Sequence, residues 1–150
     1  MLVETQVTIN ASKPAIWAAI TDMENAASFM SGIDKIEILE KPASGLVGLK
    51  WRETRMLFRQ AYTTADKWIT EAADNDFYNT RAESDGFIFL STLRMSDSGG
   101  AITLTSIHDS QPQSLGAKIM SIPMSLFFKG VARKALMQDL NDIKASVEQA

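Results

Sequence analysis

At the start of the chain Val3, Thr5, Val7 and Ile9 alternate with Glu4, Gln6, Thr8 and Asn10. A period of two sends the sets to opposite sides, so this stretch reads as a half-buried β-strand. It stops at Asn10-Ala11-Ser12, where Ser12 is placed to cap a helix and Pro14 falls in the first helical turn. A short apolar helix through Ile16, Trp17 and Ile20 follows. Thr21-Asp22 starts a second helix, with Glu24 early in it, where the helix dipole favours an acid. Ala26, Ala27, Phe29 and Met30 form its buried side, and Ser31-Gly32 ends it.

From Ile33 to Asp109 the pattern becomes strands and tight turns. The segments 33–40, 48–56, 62–70, 77–83, 87–95 and 101–109 read as strands. The breaks include Lys41-Pro42-Ala43-Ser44-Gly45, Asp74-Asn75-Asp76, Ser84-Asp85-Gly86 and Asp97-Ser98-Gly99-Gly100. Strands this closely spaced, joined by short polar turns, predict an antiparallel meander.

The run 114–148 has a different period. Ala132, Leu136, Leu140, Ile143 and Val147 recur at steps of three and four, which is one face of a helix. Lys129, Arg133, Lys134, Asp139, Asp142 and Lys144 fall off that stripe and are expected in solvent. Pro123 removes a backbone donor, which predicts a short lead-in helix, a kink, then a long amphipathic helix. One sheet must bury a face, and the terminal helix is the only large element able to cover it. The expected fold is α+β, with a curved antiparallel sheet of about seven strands wrapped around the C-terminal helix. Two short helices follow the first strand, and 1–150 reads as one domain.

Composition narrows function by exclusion. The net charge of −3, with no block of Lys and Arg, gives no electrostatic case for nucleic acid. The absence of cysteine removes disulfides, thiolate nucleophiles and cysteine-based metal sites. One histidine and no paired carboxylates at ligand spacing leave no zinc site, and no Gly-rich phosphate loop is present. No cofactor is therefore expected. The N-terminus lacks the basic and apolar regions of a signal peptide. No apolar run approaches the ~18 residues of a spanning helix, so a cytoplasmic location is expected.

Val7-Thr8-Ile9-Asn10-Ala11-Ser12, then Ile16-Trp17, Asp22 and Asn25, resembles the opening of the START-like, pollen-allergen-type helix-grip proteins. The polyketide cyclase/dehydrase branch of this SRPBCC superfamily is the nearest resemblance. Phe29-Met30-Ser31-Gly32-Ile33 leading into Ile36-Glu37 also fits it, as do Gly48, Trp51-Arg52-Glu53-Thr54-Arg55, and Asp139-Leu140 with Lys144. Arg59 departs from the pattern, standing where relatives often carry Gly. The resemblance implies an internal cavity between sheet and helix that takes lipids, sterols, polyketides or other apolar molecules. A minority of members catalyse cyclisation, dehydration or hydrolysis, and no catalytic residue is shared across the superfamily.

Candidate chemistry concentrates at Trp51-Arg52-Glu53-Thr54-Arg55. Trp51, Glu53 and Arg55 share one strand face. Turned inward, an ion pair beside an indole would orient the polar end of an apolar ligand. Turned outward, these are solvated charges, and Arg52 and Thr54 point in instead. Tyr62, Trp68, Phe89, Met120, Met124, Phe127 and Phe128 read either as ordinary core or as cavity wall. The segment 119–128 is too dense in apolar residues for one stripe. Flexible Met side chains there suit a cavity mouth, a homodimer contact or a membrane-surface contact. His108 is the sole candidate base. Its neighbour Asp109 points to the opposite strand face, so it reads as a polar residue at a strand end.

The leading expectation is binding of an apolar small molecule. A cyclase or dehydratase using Arg55, Tyr62 or Glu53 is the rival, and a membrane-surface or protein-interaction module using segment 119–128 is the third reading.

Overall fold

In a computed structural model of the chain, residues 1–56, 62–84 and 86–149 are described, without the side chains of 120–122 and 124–128. The order is β1 (Leu2–Ile9), α1 (Lys13–Ile20), a 3₁₀ turn (Met23–Ser28), β2 (Ile33–Glu40) and β3 (Lys50–Met56). Next come β4 (Tyr62–Ala73), β5 (Phe77–Ser84), β6 (Phe87–Ser98), β7 (Ala101–Pro112) and α2 (Leu115–Glu148).

The period-two segments form one seven-stranded sheet in the order β1-β7-β6-β5-β4-β3-β2, with every neighbour antiparallel. Its curvature has local causes. Register shifts interrupt β2–β3 between Ile33 and Lys35 and between Ile38 and Glu40, and β4–β5 between Ile69 and Glu71. An extra residue in one strand bends it and increases its twist. The β6–β7 turn uses Gly99 and Gly100, both at positive φ (57° and 90°), as a tight hairpin of this handedness requires.

Ser12 caps α1 by accepting from the Ala15 amide at 3.2 Å, as the sequence predicts. The second short helix is a 3₁₀ turn rather than an α-helix. Its start, Asp22, does not cap the backbone but accepts from the Asn25 side chain at 2.9 and 3.0 Å.

α2 runs through Pro123 as a single helix, so the predicted division is corrected. The missing donor removes one rung of the ladder, and the turns on both sides continue. Leu140 and Ile143 enter the core with Ile9, Ile16, Trp51 and Leu104. Polar ties hold the C-terminal half of the helix. Arg133 donates to the Glu4 carbonyl (3.1 Å), Lys144 to the Thr8 carbonyl, and Asn10 N–H to Glu148 (2.8 Å). Ser31 donates twice to Asp142.

Gly86 sets where α2 begins. Its φ is +79°, and its carbonyl accepts from the Gln113 amide at 2.7 Å. A Cβ here would lie 2.7 Å from Ser114 Oγ, the atom that caps α2 by accepting from Ala117 N–H. Gly86→Ala combines left-handed strain with a displaced cap, so urea unfolding should show a loss of about 2 kcal/mol. An unchanged midpoint would refute that role for Gly86.

Candidate functional site

A cavity of about 280 Å³ lies between the inner face of the sheet and α2, and residues of α1 and the 3₁₀ turn complete its wall. Most of that wall is apolar, with Ile20, Met23, Phe29, Ile36, Leu93, Leu136 and Leu140 among its residues. α2 contributes through Ala132, Leu136, Leu140 and Ile143, which belong to the stripe predicted from its period.

Two polar groups interrupt this surface. The first is built on β3. Ile33, Ile36 and Ile38 of β2 pair with Arg55, Glu53 and Trp51. Those isoleucines need the apolar side, so the odd positions of β3 turn inward and Arg52 turns out to Asp66 (2.8 Å). Glu53, only 6% exposed, accepts from Arg55 Nε (2.5 Å) and Lys67 Nζ (2.8 Å) on one oxygen. Its other oxygen accepts from Trp51 Nε1 (3.3 Å). Arg55 also grips Asp139 of α2 in a two-pronged pair, at 3.2 and 2.9 Å. Two cations and two carboxylates therefore close into a formally neutral quartet that joins β3 and β4 to α2.

Burial alone would raise the Glu53 carboxyl, but Lys67 and Arg55 outweigh it and hold Glu53 well below the usual carboxylate range. Burial likewise opposes the charge on Arg55, and Glu53 with Asp139 more than restores it. At Asp139 burial wins, pushing the carboxyl up despite Arg55.

The second polar group is a row across the sheet. Thr80 of β5 is paired with Ser91 of β6, and Ser91 with His108 of β7. All three line the cavity, and Ser91 Oγ lies 2.8 Å from His108 Nδ1. Burial, reinforced by Lys67 and Arg55, lowers the His108 pKa to about 4, so the imidazole is neutral near pH 7. Tyr78 sits deeper, donating to the Ile20 carbonyl at 3.1 Å. Its phenol is pushed up by burial and by the two carboxylates.

Of the sequence candidates, Trp51, Glu53 and Arg55 meet at this wall. Tyr62 and Trp68 do not. They pair with Met56 and Lys50 on the outer face, where Tyr62 is 55% exposed and the Lys50 ammonium lies over the Trp68 ring. Phe89 stands beside the cavity, stacked between Phe87 and His108, rather than among its lining residues. The side chains of Met120, Met124, Phe127 and Phe128 lie outside the described residues, as does Arg59. Ile119, just before them, is 62% exposed.

Asp139 is corrected from solvent to interior. It adjoins Leu140 and lies three residues from Leu136, so it borders the stripe. His108 is a cavity residue rather than a strand end. Its parity with Ile102 and Leu104 carried that signal, as the parity of Lys67 with Ile69 did on β4.

The sequence model of the family described as polyketide cyclase / dehydrase and lipid transport matches residues 2–148. The chain belongs to this family. No curated protein matches the sequence. Among solved structures, TTHA0849 from Thermus thermophilus is similar at a TM-score of 0.81 and 10% identity, over 98% of this chain and 97% of that one. A START superfamily protein from Mycobacterium smegmatis reaches 0.77 at 18% identity, over 99% and 97%. The ZhuI aromatase/cyclase from Streptomyces sp. R1128 reaches 0.74 at 16% identity, over 99% and 94%. These likenesses show a shared fold. This polyketide cyclase/dehydrase family member has the START-like, SRPBCC helix-grip architecture, and its described residues include no helix long and apolar enough to cross a membrane.

Proposed function

We propose that the chain acts as one domain that binds an apolar or amphipathic small molecule, such as a lipid or polyketide, between the sheet and α2. The observation that carries this reading is the cavity of about 280 Å³, apolar over most of its wall but holding two fixed polar groups. That combination suits a ligand with an apolar body and a polar feature to orient.

Protein purified under native conditions should release a small molecule into organic solvent, detectable by mass spectrometry. Adding that molecule back at about 100 times its Kd should stabilise the fold by about 2.7 kcal/mol. An empty extract, with no melting-temperature shift from a lipid and polyketide panel, would sink the reading.

A cyclase or dehydratase acting in the same cavity is favoured by one observation, the neutral His108 imidazole hydrogen-bonded to Ser91. Arg55 and Glu53 stand nearby, whereas Tyr62 drops out of that assignment on its outer face. Turnover that survives in His108→Ala would reject the histidine's part in it.

A further inference from the structure

Resting on the binding reading above, we propose that the cavity selects uncharged ligands bearing a hydroxyl or carbonyl group and rejects the corresponding carboxylates.

The quartet accounts for the rejection. A cavity holding Arg55 and Lys67 invites an anionic ligand, yet each cation already faces a carboxylate of the protein. Lys67 is 2.8 Å from Glu53, and Arg55 spans both Glu53 and Asp139. The four formal charges cancel. A ligand carboxylate would bring a third anion to two cations beside a largely apolar wall, and a buried charge is tolerated only where a partner compensates it. Lys67, the more accessible of the two cations at 29% side-chain exposure, could still offer a donor, but a ligand carboxylate there would sit against the Glu53 carboxylate that Lys67 already holds at 2.8 Å.

The row across β5, β6 and β7 accounts for the selection. Thr80, Ser91 and His108 stand opposite one another on adjacent strands and all face the cavity. Hydroxyls both donate and accept, and the contact from Ser91 to His108 Nδ1 leaves Nε2 for a second partner. Such a row can bind a ligand hydroxyl or carbonyl without importing charge. The cavity thus separates a cancelled charge cluster on β3, β4 and α2 from an uncharged hydrogen-bonding strip on β5 to β7.

Four probes of one shape test this: naphthalene, 2-naphthol, 2-acetylnaphthalene and 2-naphthoate, titrated into the full chain near neutral pH by two-dimensional NMR. The expected result is that 2-naphthol and 2-acetylnaphthalene bind about tenfold tighter than 2-naphthoate. Ser91→Ala should weaken 2-naphthol by about fivefold, the scale of one net hydrogen bond, and leave naphthalene unchanged. Equal or tighter binding of the naphthoate, or an unaltered 2-naphthol affinity in Ser91→Ala, overturns the proposal and leaves the binding reading standing. If none of the four binds, the natively extracted molecule decides. A neutral alcohol or ketone supports the proposal, a carboxylate overturns it, and an empty extract overturns the binding reading and this proposal with it.

Discussion

Arg55→Ala should destabilise the fold by about 3–5 kcal/mol, the scale seen when one partner is removed from a buried ion pair. Arg55 is the only cation bonded to Asp139 among the described residues, and it shares Glu53 with Lys67. Without it, an interior carboxyl on α2 already pushed up by burial loses the group that offsets that burial. The link between β3 and the helix goes as well. Nearby, a Cβ on Gly32 would come within 3.3 Å of Arg55 Nη1, so the backbone closely abuts the guanidinium. Asp139→Ala should also destabilise, but the double variant should cost less than the sum, with a coupling of about 1–3 kcal/mol. Urea unfolding of the four proteins measures this. Additive losses, or a single loss below about 1 kcal/mol, would mean that the pair adds little to the grip on α2.

The strands and the terminal helix were legible because their signals are periodic and local. A period of two appears in β1, polar turns separate the meander, and a three-four spacing marks the buried side of α2. Which face of β3 turns inward was not local. Trp51, Glu53 and Arg55 oppose Arg52 and Thr54 with polar groups on both sides, and only the pairing with Ile33, Ile36 and Ile38 of β2 breaks the tie. Tyr62 and Trp68 were misplaced for the same reason. Aromatic identity says that a ring covers something, whereas the register with Met56 and Lys50 puts these rings outside. The polar members of the site were hardest to read. Asp139 and Lys67 look like solvated charges until their partners, 84 and 14 residues away, are brought beside them. Pro123 shows the converse. A strong local breaker signal did not divide α2, because a helix of 34 residues continues past one missing donor.

Stability should fall by up to about 3 kcal/mol as pH drops from about 6.5 to about 4, with His108 as the cause. In the unfolded chain the imidazole takes up a proton near pH 6.5, and in the folded chain only near 4. Between those values the unfolded state binds more protons, so acid favours unfolding and stability rises with pH. The surroundings explain the gap. His108 is packed beside Phe89 and bonded to Ser91, while Lys67, Arg55 and the N-terminal ammonium oppose a positive ring more than Asp109 favours it. The quartet overlaps this window only at its acid end. Glu53 is held low, so its contribution begins to be lost near the ordinary glutamate pKa of 4.5 and keeps falling below it, and the raised Asp139 acts with the opposite sign. His108→Gln keeps a neutral hydrogen-bonding group near Ser91 and should flatten the profile across this range in urea melts at stepped pH. A slope equal to that of the parent protein would assign the acid sensitivity elsewhere. The expected slope makes the cavity a neutral hydrogen-bonding surface near pH 7 whose strip would gain a positive charge only under acid conditions that also loosen the fold.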